Sequence, residues 1–189
     1  ERIEVEGLPF RTLESLAAAS KDAGDINQKT NNSPSAKDGP WRLGLDMPSY
    51  ISFMTYAENR SLREKLYRAY VKRASQAEYN NETLIEEILK IRDQQAKILK
   101  YKNWAELSLA NKMANDVKEV ENLLEELRKA AMPAAKNELQ DLKDLAIKNG
   151  FPKNTNLSPW DISFWSEKLK QSRFNLNQEV LRPWFPLPQ

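Results

Sequence analysis

Residues 117–150 read VKEVENLLEELRKAAMPAAKNELQDLKDLAIKNG, and the spacing inside this stretch decides the fold class. Val117, Val120, Leu123, Leu124, Leu127, Ala131, Leu139, Leu142 and Leu145 recur mostly at three and four residues, which lines one face of an α-helix and breaks the alternation a strand needs. Asp116-Val117-Lys118-Glu119 is a capping pattern that starts the helix, and Gly150 ends it. Pro133 lies inside the run. An interior proline removes one N–H donor and crowds the preceding turn, so a kink or two helices in series are expected there.

The same grammar repeats outward in both directions. Asn103-Trp104-Ala105-Glu106 is a second capping pattern, for a helix over 104–113. Asn81 can cap a longer helix whose Leu84, Ile85, Ile88, Leu89, Ile91 and Leu99 again recur at three and four. Ser61-Leu62-Arg63-Glu64 reads as a capping box for a helix through Ser75, with Leu62, Leu66, Tyr67 and Tyr70 on one face. Pro48 opens a helix through Tyr56, and these two should pack as a hairpin. Leu13, Leu16 and Ala17 predict a first helix over 9–20. Beyond Gly150, Ser158-Pro159-Trp160-Asp161 combines a cap, a first-position proline and a first-turn acid, starting a helix to about Phe174, and a helical turn over 177–181 leads to a Pro-rich end.

Two segments fall outside this pattern. Residues 22–39 are almost wholly Asp, Gly, Asn, Lys, Ser and Pro, the composition of a mobile loop. Trp41-Arg42-Leu43-Gly44-Leu45 alternates like a short strand. A lone strand leaves its backbone groups unsatisfied, so it needs residues 3–5 or a strand outside this chain. The expected fold is therefore all-α, a multi-helix bundle or array with at most one short extended segment near 41–45, in a single helical region over 1–189.

Composition removes whole classes of chemistry. The 189 residues are 40% hydrophobic and 30% charged with only 5 Gly, a balance suited to amphipathic helices. Lys and Arg number 29 against 27 Asp and Glu, interspersed, so no long-range field favours nucleic acid or an anionic membrane. No apolar run approaches the roughly 20 residues of a membrane span, and the N-terminus shows no signal or transit pattern. The chain is expected to stay in water, with no nucleic-acid or membrane partner. It has no Cys and no His. That excludes thiolate nucleophiles, Ser-His-Asp catalysis and the usual catalytic zinc ligand sets within these residues.

The remaining candidates read as structure. Glu86-Glu87 and the run Glu119, Glu121, Glu125 and Glu126 suit a solvated helix face, with Glu125 four residues before Lys129. Arg60, Arg63, Lys65, Arg68, Lys72 and Arg73, mixed with Tyr67, Tyr70 and Glu64, read as ordinary surface rather than a nucleic-acid face. Gly39-Pro40-Trp41 reads as a turn, and the five Trp as packing residues. No catalytic, metal-binding or substrate-binding residue is assigned.

Several strings in order resemble one family. Gly39-Pro40-Trp41, Leu45-Asp46, Pro48-Ser49-Tyr50, Asn59-Arg60-Ser61-Leu62-Arg63-Glu64, Tyr67-Arg68-Ala69-Tyr70 and Arg73-Ala74-Ser75 are followed by Ser108-Leu109-Ala110-Asn111-Lys112-Met113-Ala114, Pro159-Trp160-Asp161, Trp165-Ser166-Glu167-Lys168 and Leu181-Arg182-Pro183. Together they resemble the thimet oligopeptidase and oligopeptidase A family of zinc metallopeptidases, closest in flavour to plant organellar and cyanobacterial members. The resemblance implies a largely helical enzyme of two lobes around a channel that cuts short peptides. Its zinc is held by an HExxH helix and a downstream Glu, with the Glu inside the motif activating water.

With no His, this sequence offers no position for that motif, which is expected downstream of Gln189. Glu1 is not an initiator Met, and the chain stops at Pro186-Leu187-Pro188-Gln189 without a closing helix, as an excised piece would. The expectation is a non-catalytic helical fragment of a larger peptidase. It holds no cofactor itself, zinc belongs to the parent, and the fragment contributes substrate-channel wall in the cytosol, a chloroplast or a mitochondrion. Its expected partners are short peptides, the missing catalytic lobe, and further copies of itself through exposed core. The competing expectation is a stand-alone helical interaction module without enzymatic activity.

Overall fold

The computed structural model describes residues 2–27, 31–175 and 184. Seven α-helices occur among the described residues: α1 (Phe10–Asp22), α2 (Met47–Tyr56), α3 (Arg60–Val71), α4 (Glu82–Ile98), α5 (Trp104–Leu109), α6 (Val117–Lys148) and α7 (Pro159–Phe174), with 3-10 turns at Arg2–Val5 and Ala77–Tyr79. The chain divides into two compact units, one of residues 1–71 with 141–189 and one of residues 72–140. The expected turn over 177–181 and the string Leu181-Arg182-Pro183 lie outside the described residues.

Local side chains explain the helix starts. The Asp46 carboxylate accepts the Ser49 N–H at 3.0 Å and opens α2 one residue before Pro48. Asn59, not Ser61, caps α3: its amide oxygen accepts the Leu62 N–H at 3.1 Å, and the Ser61 hydroxyl lies 2.8 Å from that same oxygen. The helix thus begins at Arg60 and ends at Val71, short of Ser75, with Ala74 held at φ +55° beyond it. Asn81 occupies the N-cap of α4 but makes no capping bond with its side chain; the Asn80 amide oxygen accepts the Glu82 N–H at 2.9 Å. Asn103 caps α5 through the Glu106 N–H at 3.0 Å, and α5 ends at Leu109 rather than at 113. Asp116 accepts the Glu119 N–H at 2.7 Å while Glu119 accepts the Asn115 N–H at 2.7 Å, fixing the start of α6. From there α6 runs as one helix through Pro133, so the second of the two expected outcomes, a pair of helices in series, does not occur. The missing Pro133 N–H removes the helical donor for the Lys129 carbonyl.

In the first unit, α7 packs on both α2 and α3, α2 on α3, and α1 on α2. Leu8, Leu13, Leu16, Phe53, Met54, Ala57 and Leu66 form one buried cluster. Leu142 and Ala146 from the end of α6 form another with Phe164 and Trp165 of α7. No strand forms among the described residues. Trp41, Leu43 and Leu45 instead lean on the first cluster, and the Arg42 N–H donates to the Leu16 carbonyl in the middle of α1 at 3.0 Å, so the extended segment joins a helix rather than a strand. In the preceding loop Asp25 accepts from Ser20 Oγ at 2.7 Å and from Arg42 Nε and Nη2 at 3.0 and 2.8 Å.

The second unit contains α4, α5 and α6 as far as Gln140. Its α4 packs on α5, with the Arg92 guanidinium 5.3 Å from the centre of the Trp104 ring. Ala96 is the single fully buried residue among those described here, so the leucine and isoleucine rows of α4 and α6 lie largely open.

Candidate functional site

The densest polar constellation sits in the first unit, where Asp161 is completely buried beside Arg60 and Arg63. Its position follows from sequence: Pro159 opens α7, so Asp161 falls in the first turn, where it closes a capping box with Ser158. Asp161 Oδ2 accepts the Ser158 N–H at 3.0 Å. Arg60, at the start of α3, forks onto the same carboxylate, Nε to Oδ1 at 2.9 Å and Nη2 to Oδ2 at 2.8 Å. Arg63, one turn on, reaches Oδ1 at 3.3 Å.

Arg63 is itself only 2% exposed, and its remaining bonds explain how a guanidinium tolerates that burial. Nη1 donates to the carbonyls of Ala57 at 2.6 Å and Glu58 at 3.2 Å, Nε donates to the Trp160 carbonyl at 3.0 Å, and the guanidinium carbon lies 4.1 Å from the centre of the Phe164 ring. The knot thereby ties the end of α2, the start of α3 and the start of α7 together.

Electrostatics follows from this geometry. Burial works to raise the Asp161 carboxyl, but Arg60, the Ser158 N–H and Arg63 outweigh it and hold the group below its ordinary value. Burial pulls Arg63 down from the usual arginine value, against the opposing pull of Asp161, whereas the Asp161 hydrogen bonds raise Arg60. A carboxylate held ionised with both oxygens engaged has no proton to donate and no free lone pair aimed at a substrate. The constellation is a structural clasp.

Sequence reasoning placed Arg63 among surface cations, and the structure corrects that: the residue is buried against a counter-ion 98 positions away. Arg68 pairs with Glu64 and lies 5.1 Å from the centre of the Trp160 ring. Tyr50 stacks on Tyr70 at 4.0 Å, and Tyr67 meets Trp160 at 5.6 Å, giving α2, α3 and α7 a half-buried aromatic strip. Of the tryptophans, Trp165 is buried, Trp41, Trp104 and Trp160 are half-buried, and Trp184 is 78% exposed, so packing does not account for all five.

Two members of the α6 carboxylate run, Glu125 and Glu119, have local partners. Glu125 binds Arg128 at 2.6 Å and lies 3.8 Å from Lys129, and Glu119 serves the helix start. An open depression of about 380 Å³ beside it is lined by Asp116, Lys118, Glu119, Asn122, Leu123 and Glu126. No group of three or more His, Cys, Asp or Glu able to hold a metal ion occurs among the described residues. The donor set does not fit a catalytic zinc, which takes imidazole or thiolate nitrogen and sulfur ligands that this sequence lacks.

Comparison with known proteins gives these helices a context. The family model for peptidase family M3 matches residues 53–189. The chain is similar to a probable cytosolic oligopeptidase A of Arabidopsis thaliana, 43% identical over 189 residues covering 100% of this chain and 26% of that protein. It is equally similar, at 43% over the same length, to an organellar chloroplastic/mitochondrial oligopeptidase A of that plant, of which it covers 23%. An oligopeptidase A of Haemophilus influenzae is 45% identical over 151 residues, 77% of this chain and 22% of that protein. The chain thus spans about a quarter of the length of the curated relatives it matches.

Proposed function

This chain belongs to peptidase family M3, and from that premise we propose that it is a non-catalytic helical portion of a zinc-dependent oligopeptidase that degrades short peptides. The observation that carries the reading is a collinear 43% identity to oligopeptidases A over all 189 residues, in a sequence without one imidazole or thiolate. Metal binding and water activation then belong to polypeptide outside this chain, and zinc is that part's cofactor. The role of these helices is to supply wall to the substrate channel. The aromatic strip of Tyr50, Tyr67, Tyr70 and Trp160 supports that role, since stacked rings with an adjacent Arg68 offer apolar and cationic surface to a short peptide. No helix among the described residues is long and apolar enough to cross a membrane. Two relatives bear names of a probable cytosolic and of an organellar chloroplastic/mitochondrial oligopeptidase A, which supports the cytosol, a chloroplast or a mitochondrion as the parent's compartment.

The test is hydrolysis of internally quenched peptides by the pure chain, with and without added zinc. The expected result is no turnover above the buffer blank. Chelator-sensitive cleavage that co-purifies with the chain would overturn the reading.

A second reading, a stand-alone interaction module, is favoured by the open apolar rows of α4 and α6. It predicts a cooperatively melting monomer that captures a protein partner without any peptidase polypeptide.

A further inference from the structure

The second unit contains the most apolar surface for the least core. On α4, Leu84, Ile88 and Leu89, and on α6, Leu123, Leu124 and Leu127, are each between 48% and 59% exposed. Among the described residues of the unit only Ala96 is fully buried. Helices draw most of their stability from packing an amphipathic face, and continuous apolar rows of this kind mark a surface that another molecule covers.

Two ion pairs also run along these helices. Asp93 pairs with Lys97 along α4, and Glu125 pairs with Arg128 along α6. What the rows ask for is an apolar surface. The relatives supply a candidate for it: the chain accounts for 26% and 23% of the two plant proteins, so about three quarters of each lies outside the matched region.

We propose that the open rows of α4 and α6 are the seam on which the rest of an M3 peptidase polypeptide packs, through an apolar helical surface of its own. The seam holds unit 72–140 in place within the enzyme and rests on the reading of this chain as part of an oligopeptidase.

The experiment compares the isolated chain with a chimera in which it replaces the matched region of the Arabidopsis cytosolic oligopeptidase A. Amide hydrogen exchange is followed along α4 and the first half of α6. The expected result is exchange at least tenfold slower in the chimera. Ile88→Asp and Leu124→Asp should each reverse that slowing and lower the chimera's melting temperature, while leaving the isolated chain's circular dichroism and melt unchanged, because both residues are already half-exposed in it.

Equal exchange in chimera and isolated chain, for whatever reason, overturns the seam. So does a concentration-dependent dimer of the isolated chain that Ile88→Asp abolishes while the chimera gains no protection, a result that assigns the rows to a second copy. Peptide cleavage by the chimera is read separately. Protection without cleavage leaves the seam standing and counts against the functional reading, and cleavage without protection does the reverse.

Discussion

Asp161→Asn tests the clasp, because it keeps the shape of the side chain while removing the charge and turning one of the two accepting oxygens into an NH2 donor. The cost is set by what stays behind. Arg63 is 2% exposed and cannot rehydrate, so the substitution strands a buried cation, a loss of about 3–5 kcal/mol when one partner of a buried pair is removed. The Arg60 side chain is 41% exposed and recovers water, so it adds little. The asparagine oxygen can still accept the Ser158 N–H and keep the cap, but its NH2 then faces the Arg60 Nε and Arg63 Nη2 donors, so the expected loss is at least about 3 kcal/mol. For a protein of this length that corresponds to a fall in Tm of roughly 6–12 °C.

Urea unfolding followed by tryptophan fluorescence measures it, with Trp160 and Trp165 beside the clasp as reporters and far-UV circular dichroism as the second probe. Removing the stranded charge should then help. Arg63→Met in the Asp161→Asn background should recover at least about 1 kcal/mol, because contacting groups couple by about 0.5–3 kcal/mol. A single-variant loss below about 1 kcal/mol, or a strictly additive pair, would refute the argument that the clasp holds three helix ends together.

The same carboxylate sets an acid limit. Its folded value is depressed, so its contribution is complete above the unfolded aspartate value of about 3.9 and is lost as pH falls through the folded value; unfolding midpoints against pH should show that acid loss in the parent chain and a flatter profile in Asp161→Asn. The cap of α3 separates two neighbours: Asn59→Ala should cost about 1 kcal/mol in a thermal melt and Ser61→Ala less than about 0.5, and the opposite order would return the cap to Ser61.

How far the sequence could be read depended on the range of the interaction concerned. The α4, α6 and α7 boundaries were legible because caps, prolines and apolar spacing act within one turn of their own residues. Where two local signals competed, the reading failed by a few positions. At α3 the Asn59 amide reached the Leu62 N–H before Ser61 could serve as cap, and the helix closed at Val71 without any glycine to announce it. Trp41 to Leu45 had the alternation of a strand, but the Leu16 carbonyl in the middle of α1 took the Arg42 N–H, a partner that alternation could not assign. Family membership was legible for a related reason, since ordered strings along 189 residues survive without any His or Cys among them.

By itself the sequence determined that this chain is helical, that it offers zinc no imidazole or thiolate ligand, and that its strings are those of an oligopeptidase family. Only the tertiary structure decided that Arg63 is buried and that Asp161 is its counter-ion, because attraction between groups 98 positions apart leaves no trace in local spacing. It also decided which apolar faces close and which stay open. Leu142 and Ala146 of α6 meet Phe164 and Trp165, whereas Leu123, Leu124 and Leu127 of the same helix and row meet solvent. Periodicity shows that a helix has an apolar side; what covers that side depends on which other surfaces the rest of the fold brings against it.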